Sequence, residues 1–400
     1  MKQLNFVFVS LQRIHTERDS TSTNIAKELA KEHRVLYINS PVDRRTLLLE
    51  GCNPDFQDHF RLIKNKNIPN LENTQDNLWV LNPRKIIESI NWVPFTSIFR
   101  LFNRRNNRIF AGEIQTAIRE LGFDEFILVN DKDIFRSFHL KELLKPRLEI
   151  YLDRDYIIGM DYWKKHGSVL EPELMRSADL VLCNSEGFRK RAATYNKASY
   201  YIGNGCNIDR FDISKQFDLP EDLKRIPGRP IIGYIGALLS MRLDIALLLF
   251  LAESKPNWDV VLIGQEDDDF RQSQLHQLGN VHFLGKRDTA LAPAYIQWFD
   301  VCINPQIVNA ITNDNYPLKI DEYLAMGKPI VATKTNLMEE VFASVVSLAT
   351  SPVDFVVKIE RILDMQPDLY QTNRRIELAH SHSWSAICAD MLEIIYQKLK

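Results

Sequence analysis

Short apolar runs, rich in β-branched and aromatic residues, alternate with stretches of helical periodicity along the whole chain. Apolar runs of about four to eight residues between polar segments are typical of buried β-strands, and their alternation with helices indicates parallel sheets covered on both faces. In the first half, the pattern predicts strands at Leu4–Leu11, Arg34–Asn39, Leu78–Leu81, Phe126–Asn130, Leu148–Leu152, Asp179–Asn184 and Ser199–Ile202. In the second half, it predicts strands at Pro230–Gly236, Trp258–Gly264, Val281–Leu284, Asp300–Asn304, Pro329–Thr333 and Ala343–Leu348.

Two such series in one chain predict an α/β protein with two doubly wound, Rossmann-like parallel-sheet domains that face a central cleft. The break falls at Gly203-Asn204-Gly205, where two glycines suit a hinge that needs unusual backbone angles. We therefore assign residues 1–203 to the first domain and residues 204–376 to the second. Residues 377–400 carry the spacing of a helix with one buried face, and we expect this helix to return to the first domain.

Composition and charge exclude several classes of function. The chain has 400 residues, of which 45% are hydrophobic and 26% charged, as in an ordinary folded protein. Its formal net charge is −2, so the overall charge gives no sign of nucleic acid binding. The five cysteines are scattered, and the acidic run Asp267-Asp268-Asp269 is typical of a solvated turn, so we expect no metal.

The N-terminus lacks the pattern of a signal peptide, because its apolar strand is short and no small-residue cleavage site follows it. The longest apolar helical stretch, Ile245–Ala252, is far too short to span a membrane. We therefore expect a cytoplasmic protein that could meet a membrane only at its surface.

The most informative segment is residues 314 to 333, which combines two carboxylates with a loop, a short helix and a strand. Asp314 and Glu322 lie eight residues apart, and Leu318 and Lys319 lie between them. A loop that opens into a helix and is followed by a glycine and a buried strand is the nucleotide-binding geometry of parallel sheets. Because the carboxylates suit sugar hydroxyls and a ribose diol, the segment predicts a sugar-nucleotide site.

This segment and three others carry a resemblance to a known family. The other three are Ile202–Phe211, Gly233–Asp244 and Val281–Gly285. In their order and intervals the four segments resemble the GT-B-fold glycosyltransferases, in particular family 4 and the bacterial teichuronic-acid-type enzymes. The resemblance implies a nucleoside-diphosphate sugar, UDP- or GDP-linked, as co-substrate in the C-terminal domain, and an acceptor in the N-terminal domain. It also implies that neither a metal nor another cofactor is needed.

The resemblance assigns roles to individual residues. Glu322 matches the glutamate that holds the ribose hydroxyls, and Asp314 falls where the family has a glutamate near the transferred sugar. Gly236, Leu318 and Gly285 lie in the matching segments and are expected to line the donor site. The alternatives are a turn or helix cap for Asp314 and a solvent-facing helical position for Glu322.

Two cations are expected on the donor diphosphate. The family's arginine position is Ala237 in this chain, and its lysine position is Arg242, which could hold phosphate bidentately. Lys319 is our own candidate for the second charge, and a helix N-terminus after Gly236 would add a partial positive charge. For both Arg242 and Lys319 the alternative is an exposed surface side chain.

On the acceptor side, Asp153-Arg154-Asp155 follows a predicted strand, at a place where family 4 enzymes often have a histidine. A carboxylate at the end of a strand is well placed to accept a proton from a sugar hydroxyl. Asp155 is the better candidate for a catalytic base and Asp153 the reserve, although either could pair with Arg154 or cap the next helix. An aspartate base would make the enzyme inverting, like some glucuronosyltransferases of this fold, whereas family 4 is retaining and needs no strong base.

The segment Arg100–Arg108 and its flanks mix arginines with phenylalanine, leucine and isoleucine. Such a basic amphipathic helix suits an anionic membrane surface, here the inner face of the plasma membrane, or simply packs its apolar face on the core. We therefore predict a glycosyltransferase that extends a glycan acceptor, lipid-linked in this interpretation, during cell-surface polysaccharide synthesis. The alternatives are a sugar-nucleotide epimerase, whose crowded acids and histidines the chain lacks, and a degenerate donor-binding protein without turnover.

Overall fold

The computed structural model describes residues 3–14, 20–49, 60–226 and 230–400. The chain divides into two compact units. The first comprises Met1–Ile202 together with Cys388–Lys400, and the second comprises Gly203–Ile387.

The first unit is built on an eight-stranded sheet in the order β3-β4-β2-β1-β5-β6-β7-β8. All neighbouring strands are parallel except β3 and β4, which are antiparallel. The strands are β1 (Asn5–Ser10), β2 (Arg34–Ile38), β3 (Leu71–Gln75), β4 (Leu78–Leu81), β5 (Ile127–Asp131), β6 (Leu148–Asp153), β7 (Leu180–Cys183) and β8 (Ser199–Tyr201).

The strand β3 was not predicted, because four of its five residues are exposed and polar. It is held by a hairpin to β4 rather than by burial of its own side chains. Asn77 turns the chain with a φ of +62°, a backbone conformation that asparagine tolerates better than most residues. The Asp76-Asn77 pair was therefore the available signal for this hairpin.

The second unit contains a six-stranded parallel sheet in the order β11-β10-β9-β12-β13-β14. This is the doubly wound order in which the third, second and first strands precede the fourth, fifth and sixth. The strands are β9 (Ile231–Ile235), β10 (Asp259–Ile263), β11 (Val281–Gly285), β12 (Val301–Asn304), β13 (Ile330–Thr333) and β14 (Ser347–Ala349).

Apolar side chains on both faces of the second sheet explain why its strands are apolar throughout. Along β10, Val260 and Leu262 belong to one hydrophobic cluster, whereas Val261 and Ile263 belong to the cluster on the opposite face. The same two-sided burial occurs in β1, where Phe6 to Val9 are all fully buried. The predicted doubly wound α/β architecture is confirmed.

Helices cover both sheets, and none among the described residues is both long and apolar enough to cross a bilayer. The α-helices are Thr21–Leu29, Arg44–Leu49, Thr96–Glu120, Leu140–Leu144, Asp161–Ser177, Glu186–Ala193, Ile245–Ser254, Asp268–Arg271, Ala292–Gln297, Lys319–Ala325, Pro352–Asp364, Leu369–Ser381 and Trp384–Leu399. A π-helix spans Met338–Phe342, and short 3-10 turns occupy Ile157–Gly159, Leu223–Arg225, Gln274–Gln277 and Thr289–Leu291.

The C-terminal segment is divided differently from the predicted 377–400. Residue 377 lies inside the helix Leu369–Ser381, and the last helix begins only at Trp384. From Cys388 onward this last helix belongs to the first unit.

The predicted hinge residues begin the second unit. Gly203 has a φ of +72°, and the buried Asn204 accepts the N–H of Gly205 at 3.1 Å. A Cβ on Gly205 would lie 2.3 Å from the ring of Trp384, so this glycine is required for packing. Movement about the segment stays a prediction.

Candidate functional site

The candidate site lies at the carboxyl ends of β9 and β12 in the second unit. β9 pairs with β10 on one side and with β12 on the other, so the chain reverses its direction of winding between them. Ligands of doubly wound sheets bind at this reversal, outside the carboxyl ends of the strands. Gly236 directly follows β9, and the loop after β12 leads to the helix Lys319–Ala325.

Two glycines let the ends of β9 and β10 meet. Gly236 has a φ of +145°, and its N–H donates to the carbonyl oxygen of Ile263 at 2.9 Å. A Cβ on Gly264 would lie 1.9 Å from the carbonyl oxygen of Gly236, so no side chain fits there. Gly264 was not among the predicted site residues, although its place at the end of an apolar run was a signal. Gly285 ends β11 on the edge of the sheet and accepts the N–H of Gly264 at 3.0 Å.

Lys319 lies against Gly236. A Cβ on Gly236 would be 2.8 Å from Nζ of Lys319, so a side chain at position 236 would displace the ammonium group. Nζ donates to the hydroxyl of Tyr234 at 2.5 Å and lies 4.1 Å from the centre of the Tyr234 ring. Tyr234 was not predicted here, because a tyrosine within an apolar strand resembles a core residue.

The charges around Lys319 favour an anion. Burial and the nearby positive charge of Arg242 lower the pKa of Lys319 to about 7, although Glu322 acts in the opposite direction. Arg242 is half-buried, and its Nε has no hydrogen-bond partner within the described part of the chain. Neither cation forms an ion pair with a carboxylate among the residues that the structure describes. A bound anion would supply the missing negative charge and hydrogen-bond acceptors.

Glu322 lies one turn after Lys319 on the same helix, so both side chains lie on one helix face. Glu322 is half-buried, and its charge acts on the ammonium of Lys319. The structure therefore brings together four predicted site residues, namely Gly236, Arg242, Lys319 and Glu322.

Asp321, between them in sequence, lies on the opposite side of this helix and is fully buried. It accepts a hydrogen bond from the hydroxyl of Tyr316 at 2.7 Å and pairs with Nδ1 of His382 at 2.8 Å. Burial raises the pKa of Asp321, although His382 and Tyr316 oppose this effect. The contact fastens the helix of Lys319 and Glu322 in place, and a single sequence contains no signal for it.

Asp314 and Leu318 lie in the loop before this helix. Asp314 is half-buried, and its Oδ1 accepts a hydrogen bond from Nδ2 of Asn336 at 3.4 Å. The neighbouring Asn313 accepts the backbone N–H of Asn336 at 3.0 Å, so this loop is tied to the segment after β13. Leu318 packs against the hydrophobic core. Contacts of both residues to a sugar nucleotide stay predictions.

The helix after Gly236 does not begin where we expected. It begins at Ile245, and the carboxylate of Asp244 accepts the N–H of Leu247 at 2.9 Å. The negatively charged cap already occupies one N–H group of this helix N-terminus, and the use of that end for a phosphate stays a prediction.

Asp153, the reserve candidate for a base, is the last residue of β6 and is fully buried. Its carboxylate pairs with Lys132 and, at 2.9 Å, with Arg191. Glu171 completes the network at 2.6 Å from Lys132 and 3.2 Å from Arg191. Burial alone would raise the pKa of Asp153, but the two cations hold it below its usual value. Because two cations already pair with this buried carboxylate, Asp153 is a weak base, and its reserve role stays a prediction.

Asp155 pairs with Arg154, whose Nη1 lies 2.8 Å from Oδ2 of Asp155. The same guanidinium donates to Asp131 at 2.6 and 3.1 Å, and Ser10 donates to Asp131 at 2.6 Å. Burial would raise the pKa of Asp131, but Arg154 and Ser10 hold it below its usual value. The alternative for Asp155, pairing with Arg154, is thus observed. Its side chain remains 30% exposed, and its role as a base stays a prediction.

The residues of this candidate site lie within a segment that matches a known protein family. Residues 229–365 match a family model described as glycosyl transferases group 1. TuaH of Bacillus subtilis strain 168, named as a teichuronic acid biosynthesis glycosyltransferase, is 25% identical over 234 residues. That match covers 56% of this chain and 58% of TuaH, so it spans less than two thirds of the relative.

Solved structures resemble the chain over nearly its full length. Sucrose-phosphate synthase from Thermosynechococcus elongatus has a TM-score of 0.69 at 16% identity and covers 99% of both chains. Anabaena HepE in complex with UDP and glucose has a TM-score of 0.65 at 16% identity, covering 99% of this chain and 100% of HepE. Identities this low establish the fold alone. These neighbours are GT-B glycosyltransferases, so the predicted fold is confirmed. The matches to the group 1 family model and to TuaH confirm the predicted resemblance to such enzymes.

The unusual protonation of Lys319 gives a first prediction. Because its pKa is about 7, the ammonium is charged below that pH and loses its charge above it. Raising the pH from about 6 to about 8 should weaken sulfate binding about tenfold, since sulfate itself does not titrate in this range. The measurement is calorimetry with sulfate at constant ionic strength. Lys319→Met should remove this pH dependence. If sulfate affinity falls as much with pH in that variant as in the unmodified chain, Lys319 is not the titrating group.

The buried network gives a second prediction. Asp153→Asn should destabilise the protein by about 3–5 kcal/mol, because it leaves Lys132 and Arg191 buried with one carboxylate fewer. Asp155→Asn is the matched control and should lose about 1 kcal/mol or less, since its ion pair is partly exposed. Urea unfolding measures both losses. Equal losses in the free energy of unfolding would show that burial does not determine how much these ion pairs stabilise the protein.

Proposed function

We propose that this chain, which has the GT-B fold, is a glycosyltransferase in cell-surface polysaccharide synthesis. It would move a sugar from a UDP- or GDP-linked donor to a hydroxyl of a glycan acceptor carried on a lipid. The family match over residues 229–365 supports this proposal, because it includes Arg242, Lys319 and Glu322. The similarity to TuaH supports a role in polysaccharide synthesis. The similarity to HepE, whose structure contains UDP and glucose, supports a nucleoside-diphosphate sugar as the donor.

The observation that carries the proposal is the pair of cations Lys319 and Arg242 beside Gly236. Departure of a nucleoside diphosphate places one additional negative charge on its terminal phosphate as the sugar bond breaks, beside the two charges that the diphosphate already carries. Fixed cations aimed at the position of this charge stabilise the transition state without reorganising. Since the two side chains can supply this charge, we propose that the transfer needs no metal.

The remaining donor contacts follow from the position of the helix Lys319–Ala325. Glu322, one turn from the proposed diphosphate position, would accept hydrogen bonds from the ribose hydroxyls. Asp314 would contact the transferred sugar from the preceding loop. Gly236, Leu318 and Gly285 would complete the walls of the donor site.

We propose a retaining reaction. Asp155, the candidate base for inversion, already pairs with Arg154, so less of its carboxylate can accept a proton. The cations, in contrast, suit a mechanism that depends mainly on stabilising the leaving group. An inverting transfer with Asp155 as base is the alternative.

A second candidate function is nucleotide-sugar binding without turnover. Two departures from the family pattern favour it, because Ala237 replaces an arginine and Asp314 a glutamate. The two functions differ in one observation. A transferase releases UDP or GDP from a matching donor and acceptor, whereas a degenerate protein only binds the donor.

The donor assignment predicts different effects for two substitutions. Arg242→Gln should weaken UDP binding about tenfold or more and leave uridine binding unchanged, because Arg242 contacts only the diphosphate. Glu322→Gln should weaken both ligands, because ribose is common to them. Calorimetry measures the affinities, with Arg271→Gln, an exposed arginine of the same unit, as control. A similar effect of Arg242→Gln on UDP and uridine would contradict the assignment.

We also propose that the first unit meets the inner face of the plasma membrane. Trp92, Phe95 and Leu101 are 76%, 64% and 72% exposed, which is unusual for such large apolar side chains. On the helix Thr96–Glu120, Ile98, Leu101, Phe102 and Arg105 recur at helical spacing, so an exposed apolar strip leads to an exposed arginine. We call Trp92, Phe95, Ile98, Leu101, Phe102, Arg105 and Arg108 the apolar–basic surface.

Two of the four arginines predicted to face lipid have another partner. Arg100 pairs with Glu173 at 2.5 Å, and Arg104 pairs with Glu142 at 2.5 Å. Arg105 and Arg108 are both exposed and remain the better candidates for anionic headgroups.

Liposome flotation tests this surface. The protein should float with vesicles that contain phosphatidylserine and much less with pure phosphatidylcholine, because headgroup charge attracts the arginines. The double variant Arg105→Glu and Arg108→Glu should lose most of the binding, whereas Arg100→Gln should lose little. Equal flotation of the double variant and the unmodified protein would rule out this surface as the membrane contact.

A further inference from the structure

The first unit has the same reversal of strand order as the second. β1 pairs with β2 on one side and with β5 on the other, so a ligand position is expected outside the carboxyl ends of β1 and β5. The two strands end in Ser10 and Asp131, whose side chains bond to each other at 2.6 Å.

Two arginines from these two connections meet at one residue. Arg13 follows β1, and its Nη2 donates to the carbonyl oxygen of Ser40 at 3.3 Å. Arg136 follows β5, and its Nη1 donates to the hydroxyl of the same serine at 3.3 Å. Ser40 lies just after β2, so three neighbouring strands place these groups together.

The two guanidinium groups lie close enough to repel each other. Burial and the charge of Arg136 lower the pKa of Arg13 to about 10, so Arg13 remains charged at neutral pH. Asp133 and Asp43 lie within electrostatic range of Arg136. Neither forms an ion pair with it among the described residues, so a bound oxyanion would supply the direct partner that the guanidinium of Arg136 lacks there.

Arg136 also reaches open space. It lines a cavity of about 30 Å³ together with Asp43, Tyr162 and Trp163. A cavity of that size and polarity can hold a water molecule beside Arg136.

We propose that Arg13 and Arg136 bind an oxyanion of the acceptor, either a phosphate or a sugar carboxylate. Paired guanidinium groups recognise such groups through parallel N–H donors. The hydroxyl of Ser40, which accepts from Arg136 and donates to the carbonyl oxygen of Ser10 at 2.9 Å, holds Arg136 in position. The assignment of the oxyanion to the acceptor rests on the proposed function, whereas the anion site itself depends only on the positions of the two arginines. The acceptor class is thereby narrowed to anionic glycans or phosphate-linked carriers.

The test uses inorganic phosphate and the full chain. The double variant Lys319→Ala and Arg242→Ala removes the two cations of the proposed donor site. Phosphate binding by this variant, measured by calorimetry, should persist. Adding Arg136→Gln or Arg13→Gln should weaken this residual binding about tenfold or more. Arg147→Gln, at the opposite end of β6, is the control and should have no effect. Residual binding that survives Arg136→Gln, or no residual binding at all, would overturn the proposal.

A second arm identifies the source of the oxyanion. Glucuronate replaces phosphate in the same titrations, and either anion supports the site if Arg136→Gln weakens its binding. If Arg136→Gln fails to fold in urea unfolding experiments, Arg136→Lys replaces it and should still weaken binding severalfold, because lysine lacks the planar fork.

The two proposals fail independently. UDP binding by the single variant Arg136→Gln should equal that of the unmodified chain. Unchanged phosphate binding in the variants, with normal UDP binding, overturns only the oxyanion site. Absence of both UDP and GDP binding in the unmodified chain overturns only the proposed function.

Discussion

The ammonium group of Lys319 occupies a space that exists because residue 236 has no side chain. That space depends in turn on Gly264, which allows the ends of β9 and β10 to meet. Tyr234 holds the ammonium through its hydroxyl and its ring, and neither interaction neutralises the charge. With Arg242 nearby, the result is a positive region at the reversal point of the sheet. The proposed donor site follows from this arrangement.

Charged groups in this chain fall into two kinds of surroundings. The network of Lys132, Asp153, Glu171 and Arg191 is buried and internally neutral, since every cation has carboxylate partners. Such a network fixes strands and helices but offers nothing to a ligand. Lys319, Arg242 and Arg136, in contrast, lack ion-pair partners within the described residues. Lys319 and Arg242 in one unit, and Arg136 in the other, lie where the strand order of a sheet reverses, which is where doubly wound folds bind ligands.

The sequence alone predicted the structural features that depend on the local pattern of apolar and polar residues. Apolar runs predicted nearly all strands, and the spacing of Lys319 and Glu322 placed them on one helix face. It failed where contacts between distant residues decide the outcome. Asp153 and Asp155 have similar sequence surroundings, yet only the fold shows that one is buried among cations from other elements. The capped helix at Asp244, the fastening of Asp321 by His382 and the meeting of Arg13 with Arg136 likewise depend on tertiary structure.

The most direct test of the central claim is a crystal structure of the chain with UDP. The account predicts that the diphosphate lies beside Gly236, with its oxygens within hydrogen-bond distance of Nζ of Lys319 and the guanidinium of Arg242. It also predicts that the ribose hydroxyls donate to Glu322. A diphosphate bound away from both cations, or a ribose that contacts other residues, would contradict the account.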